Sequence, residues 1–224
     1  NCRPLKKGYP YLFVDATYLR SRIENSITTH AMIIISAIDK QGDREILAVE
    51  AVHSETFEAY DAIFSSLKSR GLSGVKLVIS DHNKGLAKAA REAFLGSFWQ
   101  RCTFHFIKNV LDTVPRSLRR TLSEDLKAVF SCSSKEDALS LANTVAAKYS
   151  RYSRLEDMLT FGILDALTFM DFPLEHRRRI RTVNMIERLN SEIKRRTNVV
   201  RIFPNMKSAE RLVSAIAMEI SEEW

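Results

Sequence analysis

Apolar positions in the first hundred residues alternate with polar ones or run continuously, whereas beyond about residue 104 they recur every third or fourth position. The first pattern predicts strands and the second helices. YPYLFVDATYLRSR, THAMIIISAID and, after a turn at Lys40-Gln41-Gly42-Asp43, REILAVEAVHS read as an antiparallel meander over residues 10–54. In SETFEAYDAIFSSLKSRG, the residues Phe57, Tyr60, Ile63, Phe64 and Leu67 keep helical spacing, with a loose start signal at Ser54 and Glu58 and a stop at Gly71. VKLVIS is then a short buried strand, NKGLAKAAREAFLG a helix and FWQRCTF a strand. The order is β-β-β-α-β-α-β.

After that the pattern is helical throughout. Segments 104–114, 116–131, 135–150 and 153–171 are separated by Pro115, by the cluster from Ser131 to Ser134 and by Pro173. VNMIERLNSEIKRRT follows, with Ile186, Leu189 and Ile193 as its apolar stripe, and KSAERLVSAIAMEISEEW closes the chain. The expected division is a mixed first part over residues 1–103, an all-helical stretch over 104–180 and C-terminal helices over 181–224.

The 224 residues are enough for one large domain carrying an insertion. Cys2, Cys102 and Cys132 are odd in number and have no framework spacing, which points to a reducing compartment. No apolar stretch is long enough to span a bilayer, and NCRPLKKGYP has no apolar signal core, so the expected location is the cytoplasm. The net charge of +7 becomes informative when located. Residues 173–201 hold eight Arg and one Lys against three Glu. Taken alone, such a block is as readily a solvated helix face as a phosphate-binding surface; its Arg bias favours the second, because guanidinium groups grip phosphates bidentately.

Three acids stand out. Asp15 interrupts the apolar run YLFVDATYLR, where an ionised carboxylate costs several kcal/mol unless compensated. Asp81 follows VKLVIS, at the carboxyl end of a strand where open sheets hold ligands, although Asp there is also a common helix N-cap. Glu187 lies off the apolar stripe of its helix, on a face shared with Asn190, Ser191 and Lys194. Brought together, the three would form a set of hard oxygen ligands suited to Mg²⁺ or Mn²⁺. Cys102 and His105 make a Cys-x-x-His pair, but a structural zinc site needs four ligands and no second such pair occurs. His30, His53 and His176 are scattered and read as surface or packing residues, His82, next to Asp81, as either solvent-facing or reaching the metal site or a phosphate, and Phe98 and Trp99 as packing between sheet and helical stretch.

Three antiparallel strands, then alternating helix and strand, with carboxylates on the first strand, after the fourth and on a late helix, are similar to the ribonuclease H-like fold. That is an α/β architecture with a mixed five-stranded sheet and flanking helices, in which an all-α insertion can precede the last catalytic helix. DATY with Asp15, SDHNKGL with Asp81, WQRCTFHFIKNVL, and NMIERLNSEIKRRTNVVRIFPN with Glu187 resemble the catalytic core of Mutator-type transposases over residues 9–216.

The resemblance implies a catalytic triad of Asp15, Asp81 and Glu187 that holds two Mg²⁺ or Mn²⁺ ions, with Cys102 and His105 as the family's C-x-x-H signature. It implies cleavage at transposon ends and transfer of the 3′-hydroxyl into target DNA, usually by at least a dimer. Arg188, Lys194, Arg195 and Arg196, with Arg177, Arg178 and Arg179 as a second patch, are the expected DNA contacts. A nuclease or resolvase that cuts without joining, and a non-catalytic DNA-binding descendant, are the alternatives. Many bacterial relatives carry His two residues after the second aspartate, where this chain has Asn83. Relatives also carry a DNA-binding region ahead of the core, so the chain reads as an excised core.

Overall fold

The computed structural model of the protein describes residues 3–5, 8–24 and 26–224; Cys2 lies outside them. Five strands, β1 (Tyr11–Ile23), β2 (Ser26–Ile38), β3 (Arg44–Val52), β4 (Leu77–Ser80) and β5 (Phe98–Arg101), form one sheet in the order β3-β2-β1-β4-β5. β1 and β2 pair antiparallel without a break from Tyr11↔Ile38 to Ile23↔Ser26, and β2 and β3 pair antiparallel with an irregularity between Ile35 and Ser36. β1 and β4 are parallel. This mixed α/β sheet, antiparallel through its first three strands and parallel where the fourth joins, is the ribonuclease H-like arrangement.

The run Tyr11–Val14 is buried on both faces, as its unbroken apolar sequence requires. Beyond Asp15 the strand alternates: Thr17, Leu19 and Ser21 are buried while Tyr18, Arg20 and Arg22 are exposed. Burial on both faces therefore ends at Val14. Helices α1 (Phe57–Ser69) and α2 (Lys84–Ala93) cover one face, where Leu12, Val14, Ile33 and Ile35 meet Tyr60, Phe64, Leu67, Leu86 and Ala90. Each such side chain contributes roughly 1.5–3 kcal/mol on burial. The N-cap of α1 is Thr56, whose hydroxyl accepts from Ala59 N at 3.3 Å, rather than the Ser54 signal read from sequence. Trp99 belongs to this same core and donates from Nε1 to Ser80 Oγ at 2.9 Å, while Phe98 is exposed.

The chain divides into two compact units: Asn1–Trp99 with Val183–Trp224, and Gln100–Thr182. The first also contains α8 (Asn184–Thr197) and α9 (Met206–Glu222), which pack against each other and against β1. The second contains α3 (Thr103–Leu111), α4 (Arg116–Val129), α5 (Lys135–Lys148), α6 (Ser153–Asp157) and α7 (Leu174–Ile180). Its two ends meet, because Thr103 N donates to Arg181 O at 2.9 Å. No helix among the described residues is long and apolar enough to cross a membrane.

Two sequence expectations change here. The strand read through FWQRCTF stops at Arg101, and Cys102 becomes the residue before α3. The helix expected over 153–171 ends at Asp157 and continues as a π turn, Met158–Gly162, and two 3₁₀ turns, Leu164–Ala166 and Thr168–Asp171. Side chains from outside the segment supply hydrogen bonds that a regular helix would have made. Gln100 donates to Ala166 O at 2.8 Å and accepts from Phe169 N at 2.7 Å. Arg177 donates to Phe172 O, Ser133 O and Met170 O at 2.9, 2.9 and 2.6 Å.

Arg177 is thus a bracket of the helical unit, whatever else it touches. Arg177→Ala leaves three carbonyls without that donor and should lower stability by about 1–3 kcal/mol in denaturant unfolding. Arg178→Ala, at an exposed neighbour, should leave the midpoint nearly unchanged.

Candidate functional site

The parallel pairing of β1 and β4 ends at Val14↔Ser80. Asp15 and Asp81 each come one residue later, so the two backbones carrying them begin about 4.8 Å apart. Both are half-buried, and both line a cavity of about 110 Å³ together with Glu55. Among the described residues, no Lys, Arg or His lines it.

Asp81 does not cap the following helix. That role belongs to Asn83, whose Oδ1 accepts from Leu86 N at 3.0 Å. Asp81 instead anchors the turn: its carbonyl accepts from Asn83 N at 3.0 Å and Ser80 Oγ at 2.9 Å, and its Oδ1 from His82 N at 2.6 Å. The departure at Asn83 therefore has a structural use in this chain.

On α8, Ile186, Leu189 and Ile193 are buried as the stripe predicts. Asn190 is buried too, and its Nδ2 donates to Asp15 Oδ2 at 2.8 Å. This bond fixes the helix over the first aspartate. Glu187, half-buried, lies three residues earlier on that face, where neighbouring Cβ atoms are about 5–6 Å apart. Among the described residues, no three of Asp15, Glu55, Asp81 and Glu187 bring ligand atoms within 4.8 Å of one another. A two-ion site does not require that, because ions roughly 3.5–4 Å apart spread their ligands over a wider span.

Glu55 was not singled out from sequence. In SETF it reads only as an acid placed favourably before a helix. In the fold it accepts hydrogen bonds from the hydroxyls of Tyr18 and Tyr60 and, at 3.2 Å, from Asn83 Nδ2. The Tyr18 phenol is pushed up to about 12, first by its bond to Glu55 and then by burial, with Asp15 and Asp81 adding their charges. Burial, followed by the bond to Glu55, raises Tyr60 further.

Cys102 is buried and His105 half-buried, on the first turn of α3 in the unit Gln100–Thr182. The basic residues separate into two sets. Arg195 is held by Glu192 at 2.6 and 2.8 Å, and Arg196 by Glu192 at 2.7 Å and by Glu219 of α9 at 2.6 and 2.9 Å. Arg195 and then Arg196 hold Glu192 down at about 2. Arg178, Arg179, Arg188 and Lys194 are exposed and make no ion pair among the described residues.

The family model for transposases of the Mutator family matches residues 1–224. The chain belongs to that family. It is 37% identical over 222 residues to the transposase for insertion sequence element IS256 in transposon Tn4001 from Staphylococcus aureus, covering 98% of this chain and 57% of that protein. It is 39% identical over 223 residues to the ISRM5 transposase of Rhizobium meliloti (99% and 56%), and 40% identical over 225 residues to the IS406 transposase of Burkholderia multivorans (99% and 58%). The chain thus spans a little over half the length of the curated relatives it matches. The magnesium-bound HTLV-2 integrase catalytic core domain, in its dimeric form, aligns with 54% of this chain and 86% of its own at 13% identity; its TM-score of 0.27 is too low to argue from.

Proposed function

We propose that the chain is the catalytic part of an insertion-sequence transposase. It would cleave DNA at the element's ends and transfer the 3′-hydroxyl into target DNA, with Asp15, Asp81 and Glu187 as the acidic triad. The reading is carried by one observation: Asp15 and Asp81 stand side by side past the end of the β1–β4 ladder, on a small cavity lined by acids and, among the described residues, by no cation.

Such a cavity suits Mg²⁺ or Mn²⁺. Carboxylates are hard donors, and a lining with three acids and, among the described residues, no basic one favours a cation over an anion. Two divalent ions bound there would supply Lewis-acid activation of the attacking water or 3′-hydroxyl and would stabilise the departing oxygen. Asp15 and Asp81 would hold the ions, with Glu187 completing the set from α8. Asn190 orients Asp15 through its 2.8 Å bond, and the Ser80–Asn83 turn orients Asp81. Residues 104–180 serve as the helical insertion of the fold, with Cys102 and His105 as a signature at its start, and two ends of one element would call for at least a dimer.

DNA is the partner the basic residues fit. Arg188, Lys194, Arg178 and Arg179 make no ion pair among the described residues and suit phosphate contacts. Arg195 and Arg196 would have to exchange their carboxylate partners for phosphate, and Arg177 serves the helical unit.

Asp81→Asn should abolish Mn²⁺-dependent nicking and joining of a plasmid carrying the DNA that flanks this coding sequence, with affinity for that DNA in EDTA nearly unchanged. Cleavage near the wild-type rate would remove Asp81 from the site; cleavage by the wild type without joining would favour a nuclease. In the log–log dependence of binding on salt, each duplex phosphate contact contributes a slope of about −0.9. Replacing Arg188 and Lys194 with Ala should reduce that slope by roughly one to two. Replacing Arg195 and Arg196 should change it less.

A further inference from the structure

Glu55 is the acid in the cavity that neither the triad nor the family resemblance uses. It immediately precedes Thr56, the N-cap of α1, yet its side chain ties together three separate elements. Oε1 accepts from Tyr18 on β1; Oε2 accepts from Tyr60 on α1 and from Asn83, the N-cap of α2. Gly85 makes the meeting possible. A Cβ there would lie 2.9 Å from Phe57 N and 3.2 Å from Asn83 Oδ1, so a larger residue would force apart the starts of α1 and α2.

All three donors to Glu55 are neutral, and no ion pair reaches it among the described residues. Its negative charge is therefore oriented without being cancelled, on the cavity that Asp15 and Asp81 line. A glutamate serving only the start of α1 would need neither the tie to β1 nor the tie to Asn83. Both oxygens of Glu55 already accept hydrogen bonds from fixed neutral donors, so a role beside the ion fits better than one as its ligand.

We propose that Glu55 is a positioning residue of this site: a third carboxylate, fixed by Tyr18, Tyr60 and Asn83, that strengthens divalent-ion binding by Asp15 and Asp81 through its charge and steadies the Asp81 turn through Asn83. The proposal rests on reading Asp15 and Asp81 as a divalent-ion site. Its reach is electrostatic, so it acts most strongly at low ionic strength.

Calorimetric titration of Mn²⁺ into the DNA-free chain tests it. Glu55→Gln, which keeps shape and removes charge, should raise the Mn²⁺ dissociation constant by roughly tenfold at low salt and by less at high salt. Asn83→Ser, which keeps a capping hydroxyl but lacks the donor to Glu55, should weaken Mn²⁺ in the same direction and remains informative if the first variant folds poorly. A purely structural glutamate would lower the melting temperature and leave Mn²⁺ affinity and its salt dependence alone. If Asp81→Asn loses Mn²⁺ while Glu55→Gln and Asn83→Ser stay within twofold of wild type, the proposal falls and the ion site stands. If the wild type takes up no Mn²⁺, the site reading falls and takes the proposal with it.

Discussion

The parallel register between β1 and β4 is the constraint on which the rest depends. Four residue pairs, from Tyr11↔Leu77 to Val14↔Ser80, are buried on both strands and set where each strand leaves the ladder. A slip of one residue would turn the side chains of β4 to the opposite face and take Asp81 away from Asp15. Apolar packing thus specifies the placement of two polar groups. Trp99, bonded to Ser80 Oγ, ties the last residue of the short strand to the core beneath the helices.

Around that register the chain treats its charges in two ways. At the cavity, carboxylates meet neutral donors: Asn190 on Asp15, and Tyr18, Tyr60 and Asn83 on Glu55. The charge of Glu55 is oriented and, among the described residues, meets no cation. Along α8, by contrast, carboxylates and guanidinium groups cancel: Glu192 with Arg195 and Arg196, and Arg196 with Glu219 of α9. These pairs join two helices and cannot simply be counted as free positive surface. The helix that carries Glu187 thus has both a structural edge and an open edge with Arg188 and Lys194.

Much of the fold was legible because its signals are local. Period-two runs gave the meander, and the helical stripe from Phe57 to Leu67 is the face that α1 buries. Asp15 and Asp81 were conspicuous because each breaks or ends an apolar strand. What sequence did not carry was contact between distant residues. Gln100, 66 and 69 positions from its partners, and Arg177, seven from Met170, reshape residues 158–171, so helical periodicity there overstated the helix. Glu55 looked like any acid before a helix until Tyr18 and Asn83 were seen to converge on it. Asp81 and Asn83 are both good capping residues, and only the backbone geometry chooses Asn83. The pairing of Arg195 with Glu192 was open to reading from its three-residue spacing; the bond from Arg196 to Glu219 was not.

The central claim is that this acidic cavity holds divalent ions between Asp15, Asp81 and Glu187. Anomalous diffraction from crystals soaked in Mn²⁺ measures it most directly. The account predicts two manganese peaks roughly 3.5–4 Å apart, with Asp15 and Asp81 on the ions at about 2.1–2.3 Å and Glu187 drawn in from α8. Manganese bound elsewhere, with these three carboxylates left without an ion in DNA-bound as well as DNA-free crystals, would contradict it.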